Sequence, residues 1–162
     1  MNQVRGSRFA DQIFGSNNAA GTNELFDGRE GNDLIDGRGG FDTARYDLTR
    51  FDFDGLGVSI NMKAGTVVGR DAHATAVFGK DTLRGIEAVW GSNGDDIYTA
   101  VGFGDAGATN VGSFGTANRF EPVSHVDVEV GGGAERARAQ RRDADGPWID
   151  LADGRLASPH EG

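Results

Sequence analysis

The sequence predicts an all-β fold, mainly because a nine-residue pattern repeats in tandem. Residues 28–36 (GREGNDLID) and 37–45 (GRGGFDTAR) fit the pattern G-G-x-G-x-D-x-U-x, where U is a large apolar residue. In each copy a six-residue glycine turn leads into a three-residue strand, whose middle side chain points inward because side chains alternate along a strand. Alternation of apolar and polar residues at 58–62 and the run at 66–68 predict two further strands.

Weaker copies of the pattern flank the tandem pair. Residues 6–14 (GSRFADQIF) form one, residues 21–26 (GTNELF) form part of another after an insertion at 17–20, and residues 91–99 (GSNGDDIYT) stand alone. A single copy could be a glycine-rich surface loop, since Asn, Asp and Gly are common in turns. Adjacent copies in register favour a repeat instead. We expect the inward position to be filled well by Ile13, Leu25, Ile35 and Tyr98, and poorly by Ala44.

Calcium chemistry accounts for the spacing of the pattern. Calcium takes six to eight oxygen ligands at about 2.3–2.6 Å in loose geometry. A glycine-rich turn can direct backbone carbonyls inward, because glycine adopts backbone angles that other residues avoid, and the sixth-position aspartate adds a carboxylate. The predicted calcium-binding residues are Gly6, Asp11, Asn23, Gly28, Glu30, Gly31, Asp33, Gly37, Gly39, Gly40, Asp42, Gly91, Gly94 and Asp96.

This run of turns resembles the hemolysin-type calcium-binding repeats of RTX proteins. The resemblance implies a parallel β-roll, which is a right-handed β-solenoid, with two nonapeptides in each coil and calcium between stacked turns. Carried over by position, Asp11 pairs with Asp33 on one side, and Asn23 pairs with Asp42 on the other. The second site is expected to be weaker because Asn23 is uncharged. The resemblance also implies a monomeric, secreted bacterial protein that leaves the cell through type I secretion machinery and folds on calcium outside it.

The rest of the chain is predicted in three parts. Residues 81–92 (DTLRGIEAVWGS) resemble a unit interleaved with RTX repeats, so residues 1–100 are expected to form one calcium-dependent unit; an unrelated small β-sheet segment is the alternative. Polar residues 71–75 are expected to be a loop. Residues 101–146 are predicted to be a Gly/Ala/Arg-rich loop or connector, irregular or disordered, with a strand at 123–130 where apolar and polar residues alternate. Its arginine-rich stretch at 134–142 is read as a solvated helix or connector, with a basic anion-binding patch as the alternative.

The C-terminal residues 147–162 are predicted to begin a second strand unit. Residues 148–157 (WIDLADGRLA) align without a gap with residues 59–68 (SINMKAGTVV), and the chain then ends. The last residues do not resemble the C-terminal secretion signal of the family. We therefore expect a truncated or divergent member of it.

Composition agrees with this interpretation and limits the alternatives. The chain has 162 residues, 27 glycines, no cysteine and a formal net charge of −9. The acidic charge argues against nucleic acid and anionic membranes as partners, and the lack of cysteine excludes disulfide and thiol chemistry. No apolar stretch approaches the roughly 20 residues of a membrane span, and the N-terminus lacks the apolar region of a cleaved signal peptide.

No catalytic motif stands out. The zinc-protease motif H-E-x-x-H, the nucleophile elbow G-x-S-x-G and the phosphate-binding loop are absent from the sequence. The sequence therefore predicts a non-enzymatic calcium-binding module. The first alternative is an accessory module of a secreted protease, lipase or polysaccharide epimerase whose catalytic domain is not in this chain. The second is an adhesive or carbohydrate-binding repeat, which an exposed Trp90 or Trp148 on a flat face would favour.

Overall fold

The computed structural model describes residues 2–19, 22–47, 55–113, 115, 118–121, 125–130 and 138–142. The described residues form thirteen β-strands and one short helix, so the prediction of a β-rich fold is confirmed. In chain order the elements are β1 (Asn2–Arg5), β2 (Gln12–Phe14), β3 (Glu24–Asp27), β4 (Leu34–Asp36), β5 (Thr43–Arg45), β6 (Val58–Asn61), β7 (Thr66–Gly69), α1 (Ala72–Phe78), β8 (Lys80–Arg84), β9 (Ala88–Trp90), β10 (Ile97–Thr99), β11 (Arg119–Glu121), β12 (His125–Val130) and β13 (Arg138–Arg142).

The strands belong to two sheets, between which the chain alternates from β1 to β5. One sheet has the order β1-β3-β5-β9-β11, and its strand pairs are all parallel. The other has the order β13-β12-β10-β6-β7-β8-β4-β2. This second sheet is mixed, because β7 runs antiparallel to β6 and β8, and β13 runs antiparallel to β12. Among the described residues no helix has the length and apolar character needed to cross a membrane.

The core contains the middle residues of the short strands. Ile13, Ile35 and Tyr98 are buried there as expected, and Leu25 is buried as well. In β3, however, Phe26 occupies the register position of Ala44, so Phe26 and not Leu25 belongs to the main core cluster. The small side chain of Ala44 is completely buried, although the sequence suggested that it fills its position poorly. The expectation at Leu25 was out of phase by one residue because of the insertion at 17–20 before β3.

Helix α1 forms where the sequence predicted a loop. Asp71 caps its N-terminus, with its Oδ1 accepting a hydrogen bond from the N–H of Ala74 at 2.8 Å, and Gly79 ends it with a φ of 73°. Phe78 packs edge-to-face on Tyr46, with 6.3 Å between the ring centroids. A seven-residue helix is marginal by itself, so it depends on burial of Ala74 and Phe78, which local sequence does not reveal.

The described residues beyond 100 contain three strands, where the sequence predicted one within a loop or connector. Phe103 and Asn110 are buried, and β11 and β12 extend the two sheets by parallel pairing with β9 and β10. Residues 138–142 form β13, not a helix, because hydrogen bonding to β12 outweighs the helix propensity of this Ala- and Arg-containing segment. The predicted strand unit at 147–162, including Trp148, lies outside the described residues.

The side chain of Asn110 gives a direct test of this packing. Its Oδ1 accepts from the N–H of Ile86 at 3.0 Å, and its Nδ2 donates to the carbonyl of Ile86 at 2.8 Å, as a neighbouring strand would. Asn110→Ala leaves both buried backbone groups unpaired and is expected to lower the free energy of unfolding by about 2–4 kcal/mol. Asn17→Ala, at an exposed side chain, should change it by less than about 0.5 kcal/mol. Equal losses in urea unfolding would contradict this assignment.

Candidate metal centre

Three aspartates stand side by side at the starts of neighbouring strands in the larger sheet. The N–H of Asp11 donates to Oδ1 of Asp33 at 2.8 Å, and the N–H of Asp33 donates to Oδ1 of Asp81 at 2.9 Å. Parallel pairing of β2, β4 and β8 sets this spacing, because it aligns the residues that precede equivalent strand positions. We call Asp11, Asp33 and Asp81 the first ladder. The structure thus brings together Asp11 and Asp33, as the sequence predicted.

A second ladder runs along the starts of strands in the five-stranded sheet. The N–H of Glu24 donates to Oδ1 of Asp42 at 3.0 Å, and the N–H of Asp42 donates to Oε2 of Glu87 at 2.8 Å. The predicted partner of Asp42 was Asn23, and that prediction was wrong, because Asn23 is exposed and Glu24 occupies the register position. Glu24, Asp42 and Glu87 are the second ladder.

The missed residues carried a signal in the sequence. Glu24 lies nine residues after Gly15, whereas Asp42 lies five residues after Gly37, so removing the four inserted residues at 17–20 puts Glu24 at the sixth position. The same count puts Phe26 at the inward position. Asp81 precedes Thr82 and Leu83 in β8, and these two residues are the register partners of Leu34 and Ile35, which follow Asp33. Glu87 follows Gly85 by two residues, as Asp33 follows Gly31, but Thr82 stands where the first glycine of the pattern would be, so strand pairing is needed to reveal its position.

The middle carboxylate of each ladder has an oxygen without a donor. Asp33 and Asp42 are 2% and 0% exposed, and within the described residues Oδ2 of each is buried and accepts no hydrogen bond. Burial therefore raises the pKa of Asp33 to about 6 and that of Asp42 to about 7. These values include an opposing effect of the backbone hydrogen bond to each Oδ1, which lowers the pKa, and a smaller contribution from neighbouring carboxylates, which raises it. Neither oxygen accepts a hydrogen bond from a positively charged group in the part of the chain that the structure describes.

The first glycine of each tandem turn makes room for its own aspartate. A Cβ atom on Gly28 would collide with Oδ2 of Asp33, and one on Gly37 would lie 2.8 Å from Oδ2 of Asp42. The predicted residues Gly6 and Gly91 lie in the same way against Asp11 and Asp96. The first-position glycine is thus required by the space that the carboxylate occupies.

The two tandem turns also share a backbone conformation. Arg29 and Arg38, at the second position, have φ angles of 74° and 64°, and Gly31 and Gly40, at the fourth, have φ angles of 128° and 138°. Across the described part of the chain, these arginines are the non-glycine residues with positive φ, which is uncommon for any residue with a Cβ. This matched geometry sets the turns of Asp33 and Asp42 apart from the others.

The isolated repeat is built differently. Oδ1 of Asp96 accepts from the N–H of Val58 at 2.8 Å, and its Oδ2 accepts from the N–H of Ser92 at 2.7 Å. Gly94, also a predicted ligand, packs against the backbone of residues 55–57. Asp96 therefore holds the start of β6. Both of its oxygens have protein donors.

Two other predicted ligands contribute less directly. The carbonyl of Gly39 accepts from the N–H of Asn18 at 2.9 Å, so that oxygen is engaged in strand-like pairing. Glu30 is half-buried in the turn of Asp33. Within the described ranges, no three His, Cys, Asp or Glu side chains converge as a metal cluster. A cation at Asp33 or Asp42 would therefore take most of its ligands from backbone carbonyls. That donor set of one or two carboxylates with carbonyls suits a hard cation such as calcium.

Comparisons of the chain with protein-family models, with curated proteins and with solved structures give no match.

Protonation gives the first test of these carboxylates. An unfolded aspartate loses its proton near pH 4, whereas folded Asp33 and Asp42 hold theirs up to about 6 and 7. The folded state binds more protons in that interval, so its stability without metal should fall as the pH rises through it, by on the order of 1.4 kcal/mol per pKa unit and group. Calcium-free protein should melt at a higher temperature near pH 5 than near pH 7.5. An Asp33→Asn/Asp42→Asn variant should show a smaller difference, and a melting temperature that rises with pH would contradict the burial argument.

The glycine argument predicts a contrast between adjacent turns. Gly28→Ala places a methyl group on the Asp33 carboxylate and is expected to cost about 1–3 kcal/mol in urea unfolding. Gly39→Ala is the control, since its Cβ would lie 3.5 Å or more from its neighbours, and it should cost less than about 0.5 kcal/mol. A Gly39→Ala variant as unstable as Gly28→Ala would mean that glycine flexibility, and not space, explains the pattern.

Proposed function

We propose that this chain is a calcium-binding structural module of the RTX type, and that it folds when it binds calcium outside the cell. The observation that carries the proposal is the buried, unpartnered Oδ2 on both Asp33 and Asp42. These atoms belong to the two best copies of the nonapeptide pattern. Sequence pattern and side-chain environment therefore point to the same two residues.

The charge distribution of the ladders supports a cation. Each ladder holds three acidic residues, linked by hydrogen bonds from the backbone N–H of one to the carboxylate of the next, in a chain of net charge −9. Their mutual repulsion opposes folding, and each buried oxygen lacks a compensating donor. Bound calcium would supply the missing positive charge between the turns. Asp33 and Asp42 would hold it through Oδ2, together with carbonyls of the adjoining glycine turns.

We further propose that the paired strands are the coils of a parallel β-roll. Support comes from how the turns lie against each other. A Cβ on Gly6 would lie 2.6 Å from the carbonyl of Gly28, and one on Gly15 would lie 2.6 Å from the carbonyl of Gly37. Gly37 is related in the same way to Gly85, at 2.5 Å. Backbone therefore stacks on backbone at equivalent positions of successive turns, as expected for a roll whose turns hold ions between them.

The resemblance to RTX repeats extends the proposal to secretion through type I machinery and to a non-enzymatic role as a monomer. The adhesive alternative required an exposed tryptophan on a flat face. Trp90 is instead partly buried, with the guanidinium carbon of Arg45 5.4 Å from its ring centroid. This observation does not favour carbohydrate stacking at Trp90. The structural calcium module is therefore the function that the described residues support best.

The experiment is a calcium count by equilibrium dialysis combined with unfolding. Asp33→Asn keeps an oxygen for the N–H of Asp11 but removes the charge, so it should bind one calcium fewer than the wild-type chain. At ten times a Kd of about 0.1–1 mM, each lost site should remove about 1.4 kcal/mol of calcium-dependent stability. Asp105→Asn removes an equal charge from an exposed loop residue and should behave as wild type. Wild-type protein that binds no calcium, or Asp33→Asn protein that binds as much, would refute the proposal.

A further inference from the structure

The five turns that match the nine-residue pattern fall into two classes according to their second residue. Three turns begin with Gly-Ser, at residues 6–7, 15–16 and 91–92, and the two tandem turns begin with Gly-Arg, at residues 28–29 and 37–38. All five precede an acidic residue that belongs to a ladder or, for Asp96, holds the start of β6. The second residue determines what surrounds that carboxylate.

In the Gly-Ser turns the serine donates twice to the carboxylate. The N–H of Ser7 donates to Oδ2 of Asp11 at 2.5 Å, and its hydroxyl donates to the same oxygen at 2.9 Å. The N–H of Ser16 donates to Oε2 of Glu24 at 2.8 Å, and its hydroxyl donates to Oε1 at 3.1 Å.

The third Gly-Ser turn follows the same rule in a fully buried setting. The hydroxyl of Ser92 donates to Oδ1 of Asp96 at 2.5 Å, in addition to the N–H that bonds Oδ2. Ser92 and Asp96 are both completely buried. Hydrogen bonds to an ionised carboxylate are stronger than those between neutral groups, so each serine provides part of the stabilisation that a cation would otherwise give.

In the Gly-Arg turns these donors are missing. Arg29 and Arg38 have positive φ angles. The N–H of Arg38 donates to Oδ1 of Asp36 at 3.1 Å and not to the carboxylate of Asp42. Arginine also has no hydroxyl group, so neither side chain can donate as the serines do. Oδ2 of Asp33 and Oδ2 of Asp42 are left buried without a donor.

We propose that the serine at the second position takes the place of a cation, so that only the Gly-Arg turns require one. This inference rests on the proposed calcium function and deepens it, because it assigns the ions to the oxygens of Asp33 and Asp42. The turns of Asp11, Glu24 and Asp96 close through their own serines. The chain should therefore bind two calcium ions in the described residues, although five turns of similar sequence are present.

The test exchanges the second residue of one turn. Arg29→Ser supplies the hydroxyl that the Gly-Ser turns use, so the new serine should bond Asp33 as Ser7 bonds Asp11. The matched control is Arg29→Gly, which accepts positive φ at no cost and adds no donor. Calcium is counted by equilibrium dialysis, and stability in chelator is compared from the strength of the far-ultraviolet β-sheet signal. Arg38→Ser and Arg38→Gly repeat the comparison at Asp42.

Arg29→Ser is expected to bind one calcium fewer than wild type and to be more stable than Arg29→Gly in chelator. Arg29→Gly should keep the wild-type count. Wild-type protein that binds calcium while Arg29→Ser binds the same number would overturn this inference and leave the calcium function intact. An Arg29→Ser chain that is less stable than Arg29→Gly in chelator, or that does not fold, would also overturn it. Wild-type protein that binds no calcium would overturn both proposals.

Discussion

The constraint on which the rest of this structure depends is the burial of two aspartates whose outer oxygens have no donor. An unpaired buried charge is among the costliest features that a fold can contain, and here two occur in equivalent turns. The surrounding backbone accommodates these carboxylates. Gly28 and Gly37 leave space for them, and positive φ angles at Arg29 and Arg38 accompany the absence of local donors. Such an arrangement is stable only if a proton or a cation removes the charge.

The ladders link the carboxylates directly to the pairing of the strands in both sheets. Asp33 accepts from the backbone of Asp11 and donates its own N–H to Asp81, so its position fixes the alignment of β2, β4 and β8. The second ladder relates β3, β5 and β9 in the same way through Asp42. Both ladders end at protein donors, because the hydroxyl of Tyr46 bonds Asp81 and the N–H of Ser113 bonds Glu87. Neutralising the middle residues therefore stabilises strand pairing on both sheets.

Sequence alone predicted the features that repeat locally. The turn glycines, the inward Ile13 and Ile35, and the adjacency of Asp11 to Asp33 all follow from the nine-residue spacing. Features that depend on distant parts of the chain were missed. Because of the four-residue insertion, the predicted positions fell on Asn23 and Leu25, one residue before Glu24 and Phe26. Asp81 and Glu87 join the ladders only through strand pairing. Helix α1 and β13 likewise depend on tertiary packing and sheet pairing, which outweigh local propensity.

The measurement that tests the central claim most directly is far-ultraviolet circular dichroism of the wild-type chain near neutral pH, in chelator and in millimolar calcium. If the buried oxygens of Asp33 and Asp42 require a cation, the β-sheet signal should be weak in chelator and should appear on calcium titration, because the sites form only in the folded state. Magnesium, which is smaller and retains its water, should substitute poorly at the same concentration. An identical, fully developed β-sheet spectrum in chelator and in calcium, with no shift in melting temperature, would contradict the account.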